Sequence, residues 1–276
     1  GINNQAETLA KLGRLLQAIK VFNWGLHLAN EHALTHLSVT TRLHDGLSLV
    51  LYEVNELDAM QQQVEQALAE RQWLNPVQNF ENQVALAKLH YGRGNPALAL
   101  QTIENALGEF AHQNLPIENT IFAQHLRVTL WLALGKEDAA LAWAKERGLT
   151  IQDAVPMSQQ MVYIALARLL LVEGKGNEAF SLLQRLIEAA EADEQEGTLI
   201  ELRALQALAL NRTGDAQNAQ TTLLRALQRG SRDGFVRTFV TLGQPMQRML
   251  AVLLPTLVDP ALQRYVKRLL TLFEQA

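Results

Sequence analysis

Glycine, or an asparagine in its place, recurs in this chain at Gly13, Asn55, Gly94, Gly135, Gly174 and Gly214, with successive spacings of 42, 39, 41, 39 and 40 residues. Five residues after each stands a small or apolar residue: Ala18, Met60, Ala99, Ala140, Ala179 and Ala219. Self-similarity at a period near 40 marks a helical repeat array, in which each unit contacts only its neighbours. The 276 residues are expected to form one all-α solenoid of about six helical hairpins, whose long curved surface suits binding better than chemistry.

The unit from Phe80 to Leu107 shows how one hairpin is encoded. Val84, Leu86, Leu89 and His90 follow a helical stripe up to Gly94, and Leu98, Leu100, Ile103 and Leu107 make a second one. Gly94 is expected to end the first helix in a left-handed conformation, with Asn95 capping the second helix and Pro96 at its first position. Asp58 and Asp215 are expected to be equivalent caps. Asparagine is the sensible substitute at position 55, because after glycine it best tolerates positive φ. Seven residues before each turn lie Ala6, Ser48, Ala87, Val128, Ala167 and Ala207, mostly small. Together with the residues five after the turn, they would let the paired helices approach closely. Twelve residues after the turn the pattern continues through Gly25, Ala67, Ala106, Leu186 and Ala226 but breaks at Arg147, so the hairpin around Gly135 is expected to be the least regular. Longer connections are expected at 72–79, 108–119, 148–158, 191–197 and 229–234. Residues 1–234 then form the array, and residues 235–276 form capping helices of the same domain.

Composition narrows the function classes. Hydrophobic residues make up 48% and the formal charge is −4, so the chain has ample apolar surface to bury and, taken whole, is not expected to bind nucleic acid directly. Cysteine is absent, which removes thiol nucleophiles and disulfides and makes the reducing cytoplasm the simplest location. No uncharged apolar run reaches 18 residues and the N-terminus lacks a basic-then-apolar signal, so no membrane partner is expected. With no Gly-x-Ser-x-Gly elbow and few serines, an enzyme is not expected.

Each unit resembles a tetratricopeptide repeat, with a period nearer 40 than 34 and without the usual prolines. The segment Gly234-Phe-Val-Arg-Thr-Phe-Val-Thr-Leu-Gly-Gln-Pro-Met246 is similar to the one that closes the superhelical sensor domain of MalT-like, large ATP-dependent LuxR-family transcriptional regulators. Leu205-Gln-Ala-Leu-Ala-Leu-Asn-Arg-Thr-Gly-Asp215 resembles the repeat before it. The resemblance implies a right-handed tetratricopeptide-like superhelix that senses an effector and self-associates, alongside an ATP-binding nucleotidase module and a helix-turn-helix DNA reader. No Gly-x-x-x-x-Gly-Lys-Ser/Thr sequence occurs here, so no cofactor is expected in this chain and ATP belongs only to the missing nucleotidase module. The partners implied are a small-molecule effector and the other modules of the same regulator. An adaptor that holds a protein or peptide partner is the alternative.

In such a repeat the first helix of each hairpin lines the inner surface. Residues thirteen, ten, six and three before each turn should point inward. The rule selects Arg42, Asp45, Leu49 and Tyr52; Glu81, Val84, Lys88 and Tyr91; Phe122, His125, Thr129 and Leu132; Met161, Ile164, Arg168 and Leu171; and Glu201, Ala204, Leu208 and Asn211. From these, Tyr52, Lys88, Tyr91, His125 and Arg168 are the candidate ligand-binding residues, since aromatic faces supply apolar area and a few placed donors supply specificity. The competing reading is that they are solvated groove residues or packing between hairpins. His32 and His36 are four apart, but no third ligand accompanies them and no metal site is expected. The acidic run Glu191-Ala-Asp-Glu-Gln-Glu196 reads as a solvated turn, with a docking patch for a basic partner as the alternative. From Arg229 onward seven basic residues face three acidic ones, a local charge of +4 that reads as a solvated helix face or as help for a neighbouring DNA-binding domain to lie near phosphates.

Overall fold

The computed structural model describes residues 1–32, 38–69 and 74–274, and among them every regular element is helical. The chain divides into two compact units, Gly1–Arg127 and Val128–Ala276. The first holds α1 (Ile2–Lys11), α2 (Leu15–Glu31), α3 (Ser38–Glu53), α4 (Leu57–Ala69), α5 (Pro76–Gly92) and α6 (Pro96–Glu109). Helix α7 (Ile117–Ala133) runs across the boundary. The second unit continues with α8 (Glu137–Glu146), α9 (Gln160–Val172), α10 (Gly176–Ala192), α11 (Glu196–Arg212) and α12 (Ala216–Asp233). It ends with α13 (Arg237–Val240), α14 (Gly243–Leu253) and α15 (Pro260–Phe273).

The repeat register read from sequence is the register of the fold. Asn55 and the five turn glycines all have positive φ, from 66° at Asn55 to 87° at Gly214. At each turn the backbone bonds back into the preceding helix, as where Asn95 N–H donates to His90 O at 2.9 Å. The twelve residues seven before and five after the turns are all fully buried, at 0% exposure. Small side chains at these points bring the paired helices together, and first helices also stack on first helices, α3 lying on both α1 and α5, and α9 on α11. Helix α12 shows the cause in one stripe: Ala219, Leu223, Ala226, Leu227 and Gly230 are buried, while the remaining faces are polar.

Several expectations are corrected in detail. Asn95 occupies the N-cap of α6, but its side chain turns back to the Arg93 carbonyl instead of accepting from the helix. Asp58 lies in the first turn of α4, not at its cap, and pairs with Arg93 at 2.5 Å. Asp215 does cap α12, accepting from Asn218 N–H at 3.2 Å. The connection expected at 191–197 is a tight turn with Glu194 at φ 53°, and α12 runs unbroken through the segment expected to be 229–234. The connection expected at 148–158 is a loop as far as Pro156. Arg185 donates to the Ile151 and Asp153 carbonyls, while Thr150 and Tyr163 donate to the Asp153 carboxylate. Arg147, which interrupts the small-residue pattern, is exposed and stacks 5.5 Å from the Trp143 ring centroid.

At the C-terminal end α13 packs on α11 and α15, and α15 packs on α12. Phe239 meets Tyr265 edge-on at 6.3 Å, and the Tyr265 hydroxyl donates to the Phe235 carbonyl. The turn positions offer a clean test of backbone cost. A Cβ at Gly214 would meet no atom within 4 Å, so only its φ of +87° opposes a side chain. Gly214→Ala is therefore expected to lower stability by about 1 kcal/mol, whereas Asn55→Gly is expected to leave it unchanged or slightly raised. Urea midpoints of the two variants check this; equal losses would mean that something other than φ governs the turns.

Candidate functional site

In the first unit, α3, α5 and α7 carry the inward residues the spacing selects, and two clusters form there. In the first, the Lys88 ammonium on α5 lies 4.9 Å from the Tyr52 ring centroid on α3 and 4.4 Å from the Phe122 centroid on α7. Aromatic faces attract a cation by about 0.5–2 kcal/mol each, so the amine is held at a chosen place on the inner surface. Tyr91 and His125 stand one turn beyond Lys88 and Phe122 on the same helices, and both are half-buried. Tyr52 itself is only 4% exposed, so it supports the lysine more than it faces a solute.

The second cluster lies two turns back along α3 and α5. Asp45 is 7% exposed, and its Oδ2 is buried with no hydrogen-bond partner. Burial, and then the neighbouring Glu81 carboxylate, push the Asp45 carboxyl up to about 8. Glu81 is also raised by burial, although a hydrogen bond from Asn119 Nδ2 at 2.7 Å and the Arg42 guanidinium pull it down and Glu7 pushes it up. Arg42 faces Glu7 at 3.9 Å, so four helices, α1, α3, α5 and α7, contribute to one electrostatic group. Asp45 is thus mostly a neutral carboxylic acid at pH 7, able to donate a hydrogen bond as well as accept one.

Arg168, the remaining candidate, belongs to the second unit and is buried. It is 7% exposed, donates to Glu201 at 2.7 Å, and reaches the Thr241 carbonyl at 3.5 Å and hydroxyl at 3.4 Å. Its guanidinium joins α9, α11 and the residue after α13, which is a structural role. His32 is exposed, and His36 lies outside the described residues. Among the described residues no three His, Asp or Glu side chains are grouped to hold a metal. Nor is any helix long and apolar enough to cross a membrane. A separate cleft of about 580 Å³ lies between α4 and α5, floored by Val64, Leu68, Leu86 and Leu89 and rimmed by Glu65, His90 and Arg93. Arg93 is already tied to Asp58 and Gln61, so the rim offers few converging polar groups.

Asp45, Glu81 and Phe122 were all selected by the inward register, but nothing in their spacing set them apart from Val84 or Leu49. Asn119 was missed, because it lies sixteen residues before its turn and reaches Glu81 only through the packing of α7 on α5.

The comparison with protein families matches the MalT-like TPR region over residues 2–255. The chain belongs to that family. A relative is the HTH-type transcriptional regulator MalT of Vibrio campbellii, 24% identical over 242 residues, which cover 88% of this chain and 27% of the relative. The chain thus spans about a quarter of the length of that regulator. Among solved structures, a putative kinesin light chain of Podosopora anserina with nearly identical TPR-like repeats is 14% identical at a TM-score of 0.37. That match covers 84% of this chain and 94% of the other. A Q17M form of the same protein matches with the same TM-score and identity.

Proposed function

We propose that this chain is the effector-sensing and self-associating domain of a MalT-like cytoplasmic transcription regulator. A small polar effector would lie along the inner faces of α3, α5 and α7. The observation that carries the reading is the Lys88 ammonium set between the Tyr52 and Phe122 rings, with a carboxyl two turns back along the same helices, Asp45, that is largely protonated at neutral pH. A fixed cation, a neutral acid and aromatic faces on three adjacent helices form the kind of mixed surface that orients a small hydrogen-bonding molecule. Family membership and the regulator among the relatives support the transcriptional setting. Effector binding would favour one arrangement of the hairpins and so bias self-association. Nucleotide binding and sequence-specific DNA reading are assigned to other modules of such a regulator, and no cofactor and no catalytic role are assigned to this chain.

A thermal-shift screen against sugars and small metabolites tests the reading, since a ligand at a hundredfold excess over its dissociation constant stabilises the native state by about 2.7 kcal/mol. One chemical class is expected to raise the melting temperature by several degrees, and Lys88→Met is expected to weaken its binding at least tenfold. A hit that Lys88→Met leaves untouched would move the site elsewhere. A flat screen together with stoichiometric recovery of a protein partner would place the domain among adaptors instead.

A further inference from the structure

The charge of this chain is unevenly distributed. From Thr221 onward eight Lys and Arg stand against three Asp and Glu, whereas the first 220 residues hold sixteen against twenty-five. The total of −4 therefore hides a C-terminal stretch of +5 on a body of −9, and all of that stretch lies in the second unit.

The structure shows where these charges go. Arg237 is buried at 7% exposure, and Arg229 is paired with Glu196 at 2.9 Å. Arg225, Arg232, Arg248, Arg264 and Lys267 are exposed on α12, α14 and α15, and none of them makes an ion pair among the described residues. On α12, Gln217, Thr221, Arg225, Gln228 and Arg232 are exposed at intervals of four, four, three and four residues, which aligns them along one side of the helix for about 22 Å. No acidic residue lies within α12 between its cap, Asp215, and its last residue, Asp233. The neighbouring α15, which packs on α12, turns Leu262, Val266 and Leu269 inward and leaves Arg264 and Lys267 outside.

We infer that the solvent face of α12, extended by Arg264 and Lys267 of α15, is a docking surface for the sugar-phosphate backbone of duplex DNA. Arg, Lys, Gln and Thr are the side chains that position proteins on phosphate oxygens, and guanidinium groups match the phosphate geometry in pairs. The absence of acidic side chains between the two ends of α12 lowers the repulsion that would oppose a polyanion. An acidic protein partner fits less well, because stable protein interfaces have a desolvated apolar centre, and the α12 stripe is polar throughout. The surface reads no sequence; it would hold the second unit against DNA that another module recognises. It revises the expectation, drawn from total charge, that this chain has no direct contact with nucleic acid. It is also independent of the effector site, which lies in the other unit.

The test is a fluorescence-anisotropy titration of this chain with a 20-base-pair duplex of mixed sequence at several salt concentrations. Binding at 20 mM salt is expected, equal for unrelated sequences, with log K falling linearly in log salt at a slope of about −0.9 per phosphate neutralised. The quadruple variant Arg225→Gln, Arg232→Gln, Arg264→Gln, Lys267→Gln is expected to bind at least tenfold more weakly, with the slope reduced by about 3 to 4. Each single variant should reduce it by about 1, which decides the matter if the quadruple variant folds poorly. No binding at 20 mM salt, or an unchanged slope in the single variants, would overturn the proposal. So would tighter binding of a polyglutamate peptide of matched charge, which would make the partner an acidic protein.

Discussion

Replacing Asp45 by asparagine is expected to stabilise the first unit at pH 8 by several kcal/mol, on the order of 3 to 5, and to flatten its pH dependence. The Asp45 carboxyl is pushed up to about 8 in the folded chain, against 3.8 for an ordinary aspartate. The folded state therefore holds a proton on Asp45 that the unfolded state has lost across the window from about pH 4 to 8. In that window the native state binds more protons, so stability falls as pH rises, and above about pH 8 the full penalty of a buried, ionised carboxylate is present. Each pH unit of difference is worth about 1.4 kcal/mol, which sets the scale before structural relaxation reduces it. Asparagine keeps the shape, carries no charge and ends the repulsion with Glu81. Urea denaturation at pH 5, 7 and 8.5 checks this: wild type should lose stability over the series, and Asp45→Asn should lose much less. If Asp45→Asn is less stable than wild type at pH 8.5, Asp45 has an ionic partner and this account of the cluster fails.

The second large effect is expected at Arg168. Its side chain is 8% exposed and Glu201 is 14% exposed, with 2.7 Å between them. Removing one member of such a pair leaves a charge in a site with little water, which typically costs about 3–5 kcal/mol. Arg168→Ala should produce a loss of that size. It should also loosen the segment after α13, since Thr241 loses both of its contacts to the guanidinium. The double variant Arg168→Met, Glu201→Leu should recover most of the loss, because no charge is then left unpaired and apolar side chains of similar volume fill the space. Hydrogen exchange at Thr241 and Leu242 separates the local effect from the global one. A single variant as stable as wild type would mean that water reaches Glu201 readily and that the pair is a surface contact in energetic terms.

The two effects also divide the inner register by purpose. Asp45 and Arg168 stand at comparable inward positions, ten and six residues before their turns, and of the two the sequence singled out only Arg168 as a binding candidate. In the fold, Arg168 is held by an ion pair to Glu201, although its Nε is buried without a hydrogen-bond partner, while Asp45 faces the like charge of Glu81 with its Oδ2 buried and unpartnered. Their opposite signs in mutagenesis, stabilising for Asp45→Asn and destabilising for Arg168→Ala, express that difference. A buried titratable group retained against stability is a common property of binding surfaces.

What the sequence by itself determined was the hairpin register. A left-handed turn is a local steric demand that only glycine or asparagine meets cheaply, and a close helix pair is a local volume demand that alanine meets, so both leave a signature at fixed spacing. All six turns and all twelve packing positions follow from it. The same reasoning marks the limits. Asn95 and Asp58 have the composition of caps, but the Asn95 side chain turned to the Arg93 carbonyl, and α4 starts one residue before Asp58, which leaves that carboxylate in the first turn, paired with Arg93. The pairing of Arg168 with Glu201, the raised carboxyl of Asp45 and the place of Lys88 between two rings join helices 33 to 36 residues apart. Only the tertiary structure decided these, because burial and the approach of a charge depend on how neighbouring hairpins stack, and no local preference in the chain records that distance.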